Sequence, residues 1–274
     1  MGKSNGQSSV ISTVIITSIS LLIIIAMLNY AFFSLESTAQ QAEFEEAKNI
    51  LKNLAISTVK CILTGEGATF KFPSRTLRTN FITFQQQLIL HINFSYVDYP
   101  QEWLMDSNIS KLVDSNILKV ICYGGVYVGV ENEVIYGLRE IQFFVNDTYD
   151  VPLVHTYRDY DVGRTAVSLD FLRLIIHQYN HSGTYFIDLI YVDPYWESSE
   201  ESALENLDVK YSSSTVTLLY NDTVAANTSI IFSLELEGVP YNSNKITKIT
   251  KITIDGSCRV IIRLIVHRVL YYSW

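Results

Sequence analysis

Three kinds of hydrophobic pattern follow one another along this chain. The first runs from Val10 to Phe33, 24 residues without a charge, a Gly or a Pro. At 1.5 Å per residue such a helix is about 36 Å long, enough to cross a hydrocarbon core of ~30 Å with some tilt. The apolar stretch of a secretory signal peptide is shorter, about 7–15 residues, and ends at small residues that mark a cleavage site. Only Lys3 carries a charge ahead of the apolar run, and with Lys3 kept inside, everything after Phe33 lies outside. No later segment has 18 apolar residues in succession, so the pattern predicts a single span.

The second pattern is amphipathic. Phe44, Ala47, Leu51, Leu54 and Thr58 recur at three- and four-residue intervals, the spacing of one helical face. Glu45, Lys48 and Lys52 form a charged strip beside them, and the Glu45–Lys48 pair at i,i+3 contributes roughly 0.2–0.5 kcal/mol. From Gln7 to Thr64 there is neither Gly nor Pro, and Gly65-Glu66-Gly67 follows. These features predict one nearly continuous helix over 7–64, about 87 Å long, whose outer half packs on the rest of the protein. In the inner half Ser9, Thr13, Thr17 and Ser20 share a face. Small hydroxylated residues there either admit close approach of a second helix or bond back to their own backbone.

From Ala68 onward the pattern is that of β structure. Phe81 to Tyr96 alternates over long stretches, and Ile117–Cys122 and Val126–Val130 flank Gly124 as a hairpin would. Ala166–Tyr179 and Thr184–Val192 flank Asn180-His181-Ser182-Gly183, while Ser214–Tyr220 and Ser229–Glu237 flank a polar connection. Ile246–Ile254 and Arg259–Tyr272 flank Asp255-Gly256, a two-residue turn signal, and the last strand alternates Val260, Ile262, Leu264 and Val266 with Arg259, Ile261, Arg263 and Ile265. One short acidic helical turn is expected from Ser198 to Leu207, with Ser198 and Glu201 spaced as a capping box. The fold class is therefore α+β: a long N-terminal helix, membrane-spanning in its first half, followed by a mainly antiparallel, sandwich-like domain over 65–274 that has room for two sub-domains.

Composition adds three constraints. Net charge is −8, while residues 1–64 hold four Lys and four Glu, so the whole excess sits in the β domain. An acidic domain without a basic stripe argues against nucleic acid as a partner. With 5 Pro, 12 Gly and 18 Tyr the chain reads as folded rather than disordered. Cys61, Cys122 and Cys258 are too few and too scattered for a disulfide framework or a zinc site, which leaves either one disulfide or buried free thiols.

The amino terminus carries a resemblance. A short leader with Lys3, then Gly6, then Gln7-Ser8-Ser9-Val10-Ile11-Ser12 and an unbroken apolar helix, resembles an archaeal class III signal peptide of the type IV pilin-like proteins. Asn5 precedes the glycine, and Ile11 stands where many type IV pilins carry a Glu. The resemblance covers about residues 1–65. It implies that a prepilin-type peptidase cuts after Gly6, so that residues 1–6 are a leader and Gln7 is the mature amino terminus. The helix stays on the protein, in membrane lipid or against other copies or pilin-like subunits.

Candidate chemistry is sparse. Six Asn-x-Ser/Thr sequons, at Asn93, Asn108, Asn146, Asn180, Asn221 and Asn227, all fall on the side that the topology places outside, several of them in predicted turns. His177 and His181 have the four-residue spacing of helical metal ligands but lie in a strand leading to a turn. Asp159 and Asp161, with Asp147 and Asp150 nearby, lack the Gly and Glu offsets of a calcium loop and read as a solvated acidic loop. No nucleophile elbow, phosphate loop or dinucleotide fingerprint occurs, and neither a cofactor nor an enzymatic activity is expected. Three readings stay open: a pilin-like surface or adhesion subunit, a monomeric anchored protein that binds a ligand or the cell-wall layer, and an anchored hydrolase or solute-binding domain.

Overall fold

The computed structural model describes residues 5–72, 77–96, 105–122, 127–137, 144–159, 163–197, 206–237 and 246–273. One helix, α1 (Asn5–Thr64), is followed by β1 (Ala68–Lys71), β2 (Leu77–Tyr96), β3 (Met105–Cys122), β4 (Val134–Tyr136) and β5 (Phe144–Val145). After a 3₁₀ turn at Thr148–Asp150 come β6 (Leu153–Asp159), β7 (Arg164–Asp170), β8 (Leu174–His181) and β9 (Thr184–Trp196). The chain then forms β10 (Asn206–Val224), β11 (Thr228–Glu237), β12 (Ile246–Ile254) and β13 (Cys258–Ser273). The layout is α+β: a long apolar helix, then strands that pair mainly antiparallel in two sheets.

Helix α1 runs unbroken across the predicted span because nothing in it removes a backbone donor or favours another conformation. It stops where the sequence says it should. Gly65 takes φ 75°, and its N–H donates to the Cys61 carbonyl at 2.9 Å, the left-handed termination that a residue without Cβ adopts at little cost.

The six-stranded sheet has the order β1-β10-β13-β9-β8-β5, and the seven-stranded sheet β12-β11-β2-β3-β7-β6-β4. Strands β9 and β13 are parallel neighbours, as are β5 and β8; every other pairing is antiparallel. Two cores result. Between the sheets, Leu90, Ile92 and Phe94 of β2 and Ile230, Phe232 and Leu234 of β11 meet Ile187 and Leu189 of β9 and Val260, Ile262 and Leu264 of β13. On the other face of β9 and β13, Val192, Val269 and Tyr271 join Leu207 and Val209 of β10 and Val167 and Leu169 of β7 around the C-terminal half of α1. Coverage of both faces explains why β9 and β13 are apolar at both parities rather than cleanly alternating.

Several connections differ from the sequence reading. Ala166–Tyr179 is two strands, β7 and β8, which belong to different sheets and are separated by Phe171-Leu172-Arg173. The β8–β9 hairpin has a tighter turn than the four residues expected. His181 pairs with Thr184, and Ser182 and Gly183 both take positive φ, 51° and 79°, as a two-residue I′ turn requires. Asp255-Gly256 does not close a hairpin. Strand β12 pairs with β11 in the seven-stranded sheet, whereas β13 pairs with β10 and β9 in the other. The same crossing occurs at Ala225–Asn227 between β10 and β11, and the Ser257 hydroxyl donates to the Val224 carbonyl at 3.1 Å, tying the two corners together. The physical reason is that Ile252, Ile254, Val260 and Ile262 share one core from opposite sides, which a hairpin would have prevented. Residues 127–130 form no strand, so Val126–Val130 is not the partner of Ile117–Cys122; β3 pairs with β2 and β7 instead. The Gly124 turn and the Ser198–Glu201 capping box lie outside the described residues, and Leu207 belongs to β10.

Candidate functional site: the anchoring helix and its socket

Helix α1 changes character abruptly along its length. Every side chain from Val10 to Glu36 is exposed, among them isoleucines, leucines and Tyr30, Phe32 and Phe33. Exposure of this many apolar groups in water is not sustainable, and by length and composition the segment can cross a membrane. Tyr30 stands near its C-terminal end, where an aromatic ring with a polar tip suits a lipid–water boundary. The Thr17 hydroxyl donates to the Thr13 carbonyl one turn back, so at this position the hydroxyl serves its own helix.

From Gln40 the helix enters a socket. Phe44, Ala47, Leu51, Leu54, Ala55 and Val59 are fully buried, on the stripe that the three- and four-residue spacing marks. One wall is a strap over residues 127–133. The Tyr127 N–H donates to Gln40 Oε1 at 3.0 Å, and the Phe44 and Tyr127 rings lie 5.8 Å apart. A Cβ at Gly129 would stand 2.8 Å from the Phe44 ring, so only glycine lets the strap approach this closely. Lys48, expected on a charged strip with Glu45, makes that pair at 2.8 Å but is buried and also bridges Glu133 at 2.5 Å. Burial works against its charge, but the hydrogen bonds to Glu133 and Glu45 more than offset that, and its pKa is raised. At the far end Thr58 and Tyr271 share a buried 2.7 Å hydrogen bond between their hydroxyls, and burial raises the Tyr271 pKa.

The sequons separate by location. Asn146, Asn180, Asn221 and Asn227 are exposed. Asn180 precedes the β8–β9 turn, Asn227 sits at φ 61° in the β10–β11 corner, and Asn221 accepts from Arg259 Nε at 2.8 Å. Strand register places these three near one end of the six-stranded sheet, since Thr223 pairs with Arg259 and Arg259 with Thr184. Asn93 is half-buried in β2 opposite Ile231, a poor position for a glycan, and Asn108 lies within β3. Gly6 and Gln7 lie in the first turns of α1.

The remaining candidates come apart. His177 and His181 share a face of β8, but four residues of strand separate them by ~13 Å, too far for one ion. Asp159 is buried at the end of β6, not solvated, and Asp147 caps the 3₁₀ turn by accepting from the Tyr149 N–H at 3.0 Å; Asp161 lies outside the described residues. Cys61 is a buried free thiol whose pKa burial raises, and Cys258 is also free. Among the described residues no three His, Cys, Asp or Glu side chains gather to hold a metal ion.

One constellation had no sequence signal. His155 of β6 faces Ser168 of β7, whose Oγ lies 3.3 Å from Nδ1 and 3.4 Å from Nε2, while Asp170 Oδ2 stands 3.9 Å from Nδ1. A proton relay needs the acid and the hydroxyl on opposite ring nitrogens, whereas here the hydroxyl is nearly equidistant from both. Asp170 is instead held by Arg173 at 3.1 Å, and Ser168 is buried. The group behaves as a pH-sensitive structural element. Burial lowers the His155 pKa, Asp170 opposes this, and Arg173 reinforces it. A depressed pKa means that the unfolded chain binds the proton better, so this contribution is complete above about pH 6.5 and is lost as pH falls below it. The urea midpoint is expected to be lower at pH 5.5 than at pH 7.5, with a smaller loss in His155→Gln; an unchanged acid slope in that variant would contradict the assignment. His267, also lowered by burial, supplies the residual slope.

Compared with family models, curated proteins and solved structures, the chain has no match.

Proposed function

We propose that this chain is a pilin-like, membrane-anchored cell-surface protein with a structural or adhesive role, its β domain over 65–274 held outside the cell. The observation that carries this reading is the division of a single helix into a fully exposed apolar half and a half buried in the β domain. Among the described residues the exposed half is buried against no other part of the chain, so it must find either lipid or the same half of other copies. The buried half makes the domain and the anchor one rigid piece, as a filament subunit or a stiff surface stalk requires. Bilayer lipid, a prepilin-type peptidase acting after Gly6, and other copies or pilin-like subunits are the partners this reading names; nucleic acid is not among them.

Peptide mapping of the native protein is expected to find Gln7 at the amino terminus, with glycan on Asn146, Asn180, Asn221 or Asn227. Recovery of the intact Met1–Gly6 leader would reduce the protein to a plain signal anchor, and bare asparagines at all four positions would remove the glycoprotein part. Shearing cells separates the two anchored readings. A filament subunit is released in extracellular fibres, whereas a monomeric anchored protein stays with the membranes.

A further inference from the structure

Among the described strands, none pairs with β10 along most of one edge. Strand β10 pairs with β13 from Leu207 to Val224, but on its other side β1 covers only Asn206–Val209. Bulges at Tyr211/Ser213 and Leu218/Tyr220 bracket a regular stretch, Ser213–Leu218, in which Val216 is 60% and Leu218 56% exposed. From Tyr211 to Asn221 there is no charge, Pro or Gly. Sheet edges are ordinarily blunted by charge, proline or a bulge that interrupts them, and here the bulges sit at the ends of the stretch rather than within it. An uncharged, β-branched edge of this kind is a template for another strand.

Contacts along α1 fix where the edge points. Gln40 and Phe44 meet Tyr127, Lys48 meets Glu133, Thr58 meets Tyr271 of β13, and Cys61 meets the backbone of Tyr211 in β10. Strand β10 therefore crosses the helix about 20–30 Å further from the anchor than the strap does. Since β10 lies beyond β13 in that direction, its open edge looks away from the membrane.

We infer that this edge pairs antiparallel with the same edge of a second copy, head to head, with the two anchors at opposite ends. The membrane orientation rests on the proposed function; the edge pairing does not. In a two-fold edge pair, residues that face each other must point to the same side of the joined sheet, so the axis passes through a residue rather than between two. Centred on Val216, the pairing sets Val216 against its own copy and Ser214 against Leu218. It also brings Lys210, at the near end of the strip, opposite Asp222 of the second copy, and the reciprocal pair forms at the other end. Both charged residues are exposed, and no like charges are opposed. The second copy is thus selected by the strip's own charge pattern. Asn221 borders the strip, and a glycan there would stand over the joint.

The test uses the full chain, produced without glycosylation and reconstituted in two populations of phosphatidylcholine vesicles with different dyes. Facing Cα atoms in such a pair are about 4.5–5.5 Å apart, within disulfide reach. Mild oxidation is expected to convert Val216→Cys mostly to a disulfide dimer that joins the two vesicle populations. The unsubstituted chain and Thr215→Cys, which points to the other face and is out of register with itself, should cluster vesicles without forming the covalent dimer. Val216→Lys should abolish vesicle clustering while keeping the urea midpoint. Absence of the Val216→Cys dimer, or equal dimer from Thr215→Cys, overturns the pairing. A dimer that forms without joining vesicles overturns the head-to-head arrangement. Vesicle flotation reports the anchor independently, and if the chain does not float, the same oxidation in detergent still decides the edge pairing.

Discussion

Leu51→Asp is expected to remove most of the stability of the β domain, although residue 51 lies in the helix that precedes it. Leu51 is fully buried among Phe44, Ala47, Leu54 and Ala55 in the core that α1 shares with both sheets. Losing the leucine forfeits about 1.5–3 kcal/mol of burial. An unpaired carboxylate in the same place adds several kcal/mol unless it takes up a proton or the helix pulls away. Together these amount to ~5 kcal/mol, a large part of the ~5–15 kcal/mol that domains possess. Trp196 packs against this core, so urea unfolding followed by tryptophan fluorescence reads the loss directly. Leu51→Ala should cost about 2–5 kcal/mol through the cavity alone. Lys52→Asp, on the exposed side of the same turn, should stay within about 0.5 kcal/mol of the parent. If Leu51→Asp unfolded at the parent's urea concentration, the helix would not be part of the domain's core.

The helix could be read from the sequence because its signals are local. Periodicity marked Phe44, Leu51 and Leu54, and Gly65 marked the end. Strand existence was legible for the same reason: Val260, Ile262 and Leu264 alternate and are buried between the sheets, with Val266 partly so, although Val269 and Tyr271 of the same strand are buried on its other face. Pairing was legible for the β8–β9 hairpin but not where the chain changes sheet. Asp255-Gly256 reverses the chain equally well within one sheet or from one sheet to the other, and the choice is made by where Ile252 and Ile254 find apolar partners. The breadth of the socket was hidden too. Lys48 looked like part of a helical charge strip because its partner Glu133 is 85 residues away, on a strap without regular structure. The His155–Ser168–Asp170–Arg173 group escaped notice because it exists only through the β6–β7 register and the bend after Asp170. As for function, a helix able to cross a membrane is written in composition, whereas the edge of β10 that the described strands leave open follows from β1 being only four residues long.

Replacing Leu22 and Ile23 together by Arg is expected to release the protein from membranes without weakening the β domain. Both lie near the middle of Val10–Phe33 and are exposed, so in a bilayer each would face hydrocarbon. A charged residue at the centre of a spanning helix costs about 2.5–3.5 kcal/mol on the insertion scale, so the pair costs ~6 kcal/mol. That is enough to turn a retained segment into one that fails to insert, and the readout is loss of the protein from the floating vesicle fraction. The urea midpoint of the β domain should not move, because no side chain from Val10 to Glu36 is buried against it. Leu51→Asp should give the opposite result, with flotation kept and the midpoint lost. The reciprocal outcomes follow from one helix whose two halves occupy different solvents, and sites so far apart act independently. Flotation of the double-Arg variant at the parent's level would mean that residues 10–33 do not sit in lipid; a lowered midpoint would mean that they touch the domain after all.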